Sequence, residues 1–517
     1  MKMPRAVRWI VIAVGVILVV LAIVAGAGSR TGTLRRLVVD TLADRLDSDI
    51  ELQSFSVDTF PTVDIRGQGL VIRLKGRTDV PPLVQIRSFA IKGGMLGLMS
   101  RPRRFRTVTL EGLEINIPPG GAKLGTSHGT AANPESGSSS SPIHIERLVS
   151  SDAVLRLIPR RADKTPREFA IHQLTMTGVG VEERMPFEAE LTNPLPRGHI
   201  RTEGRFGPWN RGNPGATTLD GKYVFDKADL STIKGIGGIL TSTGEFGGQL
   251  ERIEVKGETR TPDFRLKLTD KPVPLTTQFE AVVDGTDGDT YLNAVNAQLE
   301  QTAIFAKGAV VGTPGVKGRT VQLHVKVDDG RIEDFLDLAV KTDRPVMSGR
   351  IALHADFVLP PGPRDVVEKL RLSGEFDLSS ARFTDPGVRE KLTSMSQRAR
   401  GEPGTPAQDV MSDVEGRFRL ADGTLSLTPV RFRIPGAAVQ LSGTYGLQSE
   451  ALQFDGTLRM AATISEAAGG GLKSVFLKMV DPLFKKRGAG AVLPIRVRGT
   501  RQDPKFGLDV VKALTPK

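Results

Sequence analysis

The sequence predicts a mainly β protein, and three features of its composition and pattern carry this prediction. Apolar and polar residues alternate with a period of two through most of the chain from Ile50 to Val510. Glycine is frequent, with 57 positions among 517 residues, which is typical of turns and bent strands. Cysteine is absent, so packing and not disulfide bonding must stabilise the fold.

The first element is an uncharged apolar segment at residues 9–27. As a helix it spans roughly 30 Å, the thickness of the hydrocarbon core of a bilayer. Basic residues precede it, so we expect residues 1–28 to form a single-pass transmembrane anchor with a cytoplasmic N-terminus and an exported body. A cleaved signal peptide is the alternative, because Ala25-Gly26-Ala27 resembles a cleavage site, although the apolar run is longer than such peptides usually have. The predicted anchor residues are Trp9, Ile10, Leu18, Leu21 and Ile23.

A second region, residues 29–121, is predicted to begin with a helix and to continue as strands. Apolar residues recur at helical spacing over residues 33–46, which predicts an amphipathic helix next to the membrane. We expect this helix to cap the following sheet, and a separate binding helix is the alternative. From Ile50 onwards the period changes to two, which predicts the first strands. Residues 122–142, rich in Ser, Gly and Ala, are predicted to form a disordered loop or linker.

The third region, residues 143–517, is predicted to contain mostly strands with a few short inserted helices. Helical spacing occurs at residues 229–240, 331–338 and 388–400. Near residues 472–487 an apolar stripe lies beside lysines, which is typical of a helix on a membrane surface and equally of a helix packed on the sheet. The predicted interfacial residues of this helix are Leu472, Phe476, Met479, Phe484, Lys485 and Lys486.

A glycine pattern recurs in the predicted strands: an apolar residue, then glycine, then two apolar residues, each separated by one position. It occurs around Gly221, Gly374, Gly416, Gly443 and Gly456. Because side chains alternate between the two faces of a strand, each glycine shares a face with its apolar partners. Such a glycine lets the sheet bend toward that face. The pattern alone favours the closed core of a β-sandwich or barrel, and an open apolar groove is the alternative.

Charged residues on the alternate positions indicate that the other face of these strands is solvated. Arg417 and Arg419 flank Phe418, and Arg431 and Arg433 flank Phe432. We expect the four arginines to face water. The residues predicted to line an apolar groove are Phe376, Leu378, Phe418, Leu420, Phe432, Ile434, Leu441 and Tyr445.

The sequence contains no recognisable catalytic or metal-binding motif, and we expect neither enzymatic activity nor a cofactor. The six histidines have no catalytic or ligand spacing. The acidic run at residues 284–289 lacks the order and the final glutamate of an EF-hand, so a β-turn is the favoured interpretation. The net charge of +12 suits anionic lipid headgroups, and with 2 Trp and 3 Tyr the chain lacks the stacking platforms of a nucleic-acid-binding protein.

Several short motifs, distributed over nearly the whole chain and none of them catalytic, resemble those of AsmA-like proteins. Besides the anchor and its neighbouring helix, the motifs are Ile65-Arg66-Gly67, Pro81-Pro82-Leu83, the strand at 107–113, Thr261-Pro262-Asp263-Phe264, Asp287-Gly288-Asp289-Thr290, Ile434-Pro435-Gly436-Ala437 and Asp481-Pro482-Leu483-Phe484. The resemblance implies an architecture similar to that of bridge-like lipid-transfer proteins. Their features are a membrane anchor, a helical cap and an elongated, curved antiparallel β-sheet with an apolar concave face. This implication favours the groove over the sandwich.

The resemblance also implies a role in the biogenesis of the outer membrane and cell envelope, with phospholipid carried along the groove. We then expect an inner-membrane protein with a periplasmic body, whose partners are membrane phospholipid and an envelope protein, but not nucleic acid. The alternative is a non-transporting assembly or regulatory factor that acts by protein–protein contact and whose apolar face is a closed core. A third hypothesis, an envelope hydrolase, requires His, Asp or Ser side chains that converge in a pocket.

Overall fold

The computed structural model describes most of the chain between Ser48 and Leu508. Before Ser48 it describes four helical residues, which are Arg36, Val39, Asp40 and Ala43. Between residues 48 and 508 it leaves out 59–61, 75–80, 95, 98–99, 101–102, 118–142, 158–166, 181–183, 209, 211–212, 286–287, 314–315, 317, 385, 401–410 and 463–490.

The described residues form a mainly β protein, as the sequence predicts, with 24 strands in one sheet and few helices. The strands are β1 Ser48–Asp58, β2 Val63–Leu74, β3 Val84–Gly93, β4 Arg103–Ile117, β5 Ile143–Leu157, β6 Arg167–Val179, β7 Met185–Pro194, β8 Arg197–Phe206, β9 Thr218–Asp229, β10 Ile236–Gly237, β11 Ile239–Gln249, β12 Arg252–Leu266, β13 Val273–Val283, β14 Thr290–Leu299, β15 Thr302–Gly312, β16 Arg319–Arg331, β17 Met347–Leu359, β18 Arg371–Phe383, β19 Ser412–Ala421, β20 Thr424–Ile434, β21 Ala437–Gly446, β22 Ala451–Met460, β23 Ala491–Thr500 and β24 Pro504–Leu508. The helices with defined bounds are α1 Ile332–Ala339, α2 Val366–Lys369 and α3 Pro386–Ala399, with 3₁₀ turns at Pro214–Ala216 and Leu230–Thr232.

Consecutive strands pair with each other from β1 to β9 and from β15 to β24. These pairs are antiparallel, as expected, except that β4 and β5 are parallel. The purely antiparallel expectation is therefore wrong at this point. The reason is the length of the connection between the two strands. About 25 residues can span more than the ~50 Å of a 15-residue strand. The chain can therefore return to the end of the sheet at which β4 begins, and start β5 there.

The chain divides into two compact units, and unit 1 comprises Met1–Asp229, Thr241–Glu258 and Ala281–Thr290. The apolar face of β1 to β5 forms its core, because alternate residues of adjacent strands meet there. Five members of this cluster have no solvent exposure, and these are Ile65, Val84, Phe105, Val108 and Ile145. Val39, one of the helical residues before β1, packs against the same cluster.

Unit 2 comprises Leu230–Leu240, Thr259–Glu280 and Tyr291–Lys517, and its buried clusters lie at one end of the strands. Ile332 and Phe335 of α1 pack on a cluster that contains Ile351, Leu378 and Val414. Ala399, the last residue of α3, belongs to a second cluster, with Ile434, Ala437, Val439, Leu458 and Met460. This is the end at which β18, β20 and β22 stop and β17, β19 and β21 begin. Two helices therefore close one end of the apolar face.

The sheet of unit 2 is curled, because one segment after α1 contacts strands that a flat sheet would hold far away. Lys341, two residues past α1, follows β16, and its carbonyl oxygen accepts a hydrogen bond from Nη2 of Arg501, just after β23, at 3.4 Å. Six strands separate β16 from β23, which corresponds to about 34 Å in a flat sheet. The right-handed twist that strands accumulate across a sheet accounts for a close approach of this kind. Unit 2 thus has a bent apolar face.

The outcomes for the predicted helices differ. The helix at 331–338 is confirmed as α1 and that at 388–400 as α3. The helix at 229–240 is wrong, because the chain there forms a single 3₁₀ turn and then β10 and the start of β11. The predicted anchor at 9–27, the linker at 122–142 and the helix near 472–487 lie outside the described residues. Among the residues that are described, no helix has the length and apolarity needed to cross a bilayer.

Candidate functional site

The register of β17 to β22 places the predicted lining residues on one face of unit 2. Residues directly opposite each other in an antiparallel pair share a face, so each lining residue can be followed from strand to strand. The pairs that contain them are Phe376 with Leu353, Leu378 with Ile351, Phe418 with Gly374, Leu420 with Leu372, Phe432 with Val414, Ile434 with Ala437, Leu441 with Val430, and Tyr445 with Leu425. We call this surface the apolar face.

The apolar face is only partly closed. Leu378, Leu420 and Ile434 are buried, while Phe376, Phe418, Phe432, Leu441 and Tyr445 are half-buried. A second layer packed against the face would bury all eight, as the core of β1 to β5 is buried. The half-buried residues therefore form an apolar surface that water or a ligand can reach.

Unit 1 shows the same gradation by itself. The cluster on β1 to β5 contains many buried apolar residues, but Phe187, Ile200 and Phe225, on β7, β8 and β9, are half-buried. Ile200 lies directly opposite Phe225, so the partly exposed surface continues across these strands. Each unit thus combines a closed apolar region with a partly exposed one.

The recurring glycines allow aromatic rings to lie against the sheet. Phe376 is opposite Gly416, and Phe418 is opposite Gly374, so the two phenylalanines are diagonal neighbours with ring centroids 6.4 Å apart. A methyl group on Gly416 would lie 3.2 Å from the ring of Phe376. The space beside Gly416 is therefore occupied by the neighbouring ring. The layer of side chains on the apolar face stays thin as a result.

The opposite face carries the charges, and the four predicted solvent-facing arginines are exposed there. Glu415 accepts hydrogen bonds from Arg431 at 3.2 Å and from Arg433 at 3.1 Å. These two bonds lower the pKa of Glu415. Because such pairs are exposed, they contribute little to stability, but they keep this face hydrated. The two faces thus differ sharply in polarity.

One polar group lies on the apolar side, and the sequence interpretation missed part of it. Arg501 donates to Oε1 of Glu450 through Nη2 at 2.9 Å and through Nε at 3.2 Å. The hydroxyl of Tyr445 is hydrogen-bonded to Arg501. Glu450 and Arg501 lie in turns, where no strand pattern signals their face. Gly499 adopts a φ of 98°, which interrupts the alternation before Arg501, so the sequence held no signal that could have found them.

The histidines do not form a catalytic arrangement in the part of the chain that is described. His324 Nδ1 lies 2.6 Å from Asp356 Oδ1, and both side chains are exposed. In a catalytic triad the histidine lies between the serine and the aspartate. Here Ser373 pairs with Asp356 on the strand opposite to that of His324, so the aspartate takes the middle position and the triad order is not met. The rings of His172 and His199 have centroids 5.8 Å apart, on exposed or half-exposed positions. The described His, Asp and Glu side chains contain no group of three that could hold a metal ion.

Comparisons of the chain with protein-family models, with curated proteins and with solved structures found no match. Any functional proposal therefore rests on the geometry of the apolar face and its polar end. The anchor residues and the interfacial-helix residues named from the sequence lie outside the described residues, and their roles stay predictions.

Proposed function

We propose that this protein binds phospholipid acyl chains on its apolar face and carries them between membranes of a cell envelope. In this proposal residues 9–27 anchor the chain in the inner membrane, the body lies in the periplasm, and the curved sheet forms an elongated groove. The observation that carries it is the row of half-buried apolar residues on one face of a curled sheet. A monomeric soluble protein rarely leaves such a contiguous apolar surface without a ligand or partner.

Three features support a hydrocarbon ligand over a polar one. The side chains at the lining positions are aliphatic or aromatic, and the arginines that alternate with them are on the opposite face. The register of the strands makes the apolar face continuous from β18 to β22, so an acyl chain that moves along it contacts apolar side chains throughout. Burial of methylene groups contributes about 0.8 kcal/mol each, which makes an acyl chain a favourable occupant without specific contacts.

The first test places a charge on each face of the same strand. Leu441 and Gln440 are neighbours in β21, and Leu441 is on the apolar face while Gln440 is exposed on the other. We expect the full-length protein in mild detergent to retain phospholipid detectable by mass spectrometry. Leu441→Glu should lower the amount of retained lipid about tenfold or more, because it introduces an unpaired carboxylate beside the acyl chains. Gln440→Glu, the matched control, should retain it.

Circular dichroism separates this proposal from the closed-core alternative. If Leu441→Glu stays folded and loses lipid, the groove is supported. If Leu441→Glu unfolds while Gln440→Glu does not, the face is a closed core, as the assembly-factor hypothesis requires. Absence of phospholipid from the unmodified protein, or normal retention in Leu441→Glu, would refute the proposal.

A further inference from the structure

The apolar face of unit 2 ends in a charged pair at the end where β21 and β23 stop and β22 begins. Leu452 lies opposite Gly499 on this face. Two residues farther on, the backbone N–H of Arg501 donates to the carbonyl oxygen of Glu450 at 3.0 Å. Tyr445 lies on the apolar face and its hydroxyl is hydrogen-bonded to Arg501, so the pair lies at the edge of this face. The hydrocarbon surface therefore stops at a carboxylate and a guanidinium.

This pair is more enclosed than the ion pairs of the opposite face. The side chains of Arg501 and Glu450 are each 25% exposed, whereas those of Arg433 and Glu415 are 61% and 35% exposed. The carbonyl oxygen of Lys341 and the hydroxyl of Tyr445 complete the surroundings of the guanidinium. Burial, and then the charge of Glu450, raise the pKa of Tyr445, so its hydroxyl keeps its proton at neutral pH.

We propose that Tyr445, Glu450 and Arg501 bind the headgroup of a zwitterionic phospholipid whose tails lie on the apolar face. This inference rests on the proposed function and adds the class of lipid. Nε and Nη2 of Arg501 are bonded to Oε1 of Glu450, so Nη1 of Arg501 is the donor placed for a phosphate oxygen, and Oε2 of Glu450 is the acceptor placed for the ammonium group of an ethanolamine headgroup. The tyrosine hydroxyl can donate to a second phosphate oxygen. A headgroup without an ammonium group would instead meet the charge of Glu450.

The dimensions of the strands fit a lipid in this orientation. β21 and β22 each contain 10 residues and are therefore about 33 Å long. One leaflet contributes about half of the ~30 Å hydrocarbon thickness of a bilayer, so tails that start at Arg501 reach about halfway along the strands. The other end is closed by the cluster that contains Ala437 and Met460. The end with Arg501 thus offers polar partners, and the other end carries a buried apolar cluster.

The test compares lipids with the same tails and different headgroups. The full-length protein in mild detergent is titrated with fluorescent-tail phosphatidylethanolamine, phosphatidylglycerol and diacylglycerol. We expect Arg501→Gln to weaken binding of both phospholipids about tenfold and to leave diacylglycerol binding unchanged. Glu450→Gln should reverse the preference, with phosphatidylglycerol bound about fivefold more tightly relative to phosphatidylethanolamine than in the unmodified protein. The control is Arg433→Gln, which breaks an arginine–glutamate pair on the opposite face and should change none of the three affinities.

The outcomes separate this inference from the proposed function. If no lipid binds to any form of the protein, the proposed function fails and the headgroup site fails with it. If lipids bind but Arg501→Gln and Glu450→Gln change neither affinity nor headgroup preference, the headgroup site alone is refuted. Equal weakening of diacylglycerol binding in Arg501→Gln also refutes it, because the variant would then act through the fold of the apolar face.

Discussion

At the scale of single residues, the glycines of the apolar face act by permitting close approach. Gly443 lies opposite Phe454, and a methyl group on Gly443 would lie 2.6 Å from the Phe454 Cα and 2.7 Å from its ring. A neighbouring backbone carbonyl, that of Gln453, is closer still. Any side chain at this position must therefore push two strands apart.

We predict that Gly443→Ala destabilises the protein by about 1–3 kcal/mol, as expected for overpacking. Chemical denaturation followed by circular dichroism measures this change. Gly94→Ala is the control, because a methyl group there would meet nothing within 4 Å, and it should alter the free energy of unfolding by no more than about 0.5 kcal/mol. Equal effects of the two substitutions would show that the close approach at Gly443 does not constrain the sheet.

A second residue-scale prediction concerns Glu300, in the turn between β14 and β15. Burial, and then the charges of Asp334 and Asp337, raise the pKa of Glu300 in the folded protein. The folded protein therefore binds this proton more tightly than the unfolded chain does. The resulting loss of stability is present above the folded pKa and disappears below the unfolded pKa, which is about 4.3 for glutamate.

Glu300→Gln should therefore raise the free energy of unfolding at neutral pH and leave it nearly unchanged at about pH 3, below the unfolded pKa. Glu415→Gln should have the opposite sign at neutral pH, because Arg431 and Arg433 lower the pKa of Glu415 and stabilise its charged form. Urea denaturation of both variants at the two pH values provides the comparison. A gain from Glu300→Gln that persists unchanged at pH 3 would exclude the electrostatic explanation.

At the scale of elements, the strands were predictable because their alternation reports directly on burial. The eight lining residues follow a strict period of two within each strand, and the structure places them on one face. The helix α1 was predictable for a related reason, since Ile332 and Phe335 lie three residues apart and pack on the same cluster. Local periodicity is therefore sufficient to predict an element when one of its faces is buried.

The failed helix at 229–240 shows where periodicity is insufficient. Its apolar residues have helical spacing, but Gly235 and Gly238 adopt φ values of 105° and 121°, which a helix does not allow. Three glycines within four residues were a stronger signal than the spacing of the apolar residues. The parallel pairing of β4 with β5 is a different case, because partner choice across a long connection is set by tertiary contacts that no local pattern contains.

At the scale of the whole molecule, the sequence left open whether the apolar residues form a closed core or a groove. Apolar and polar residues alternate in the same way in a closed core and in a groove. Which of the two forms depends on how far the sheet bends. The contact between Arg501 and Lys341 reports that bend within unit 2, and it joins residues 160 positions apart in the chain. Such a contact follows from the twist summed over many strands, so it could not be derived from any short stretch.

The curl of unit 2 gives the last prediction, and the absence of cysteine makes it straightforward to test. Lys341 and Gln502 are both exposed. Because the protein has no cysteine of its own, spin labels attach only at Lys341→Cys and Gln502→Cys in the double variant. In the curled sheet the two labels should lie within about 20 Å of each other, because one of these residues contacts the chain neighbour of the other. In a flat sheet the seven strand spacings alone would hold them about 34 Å or more apart. A distance distribution from pulsed electron paramagnetic resonance centred at the larger value would remove the structural basis for a groove, whereas the shorter distance requires the bend on which lipid binding depends.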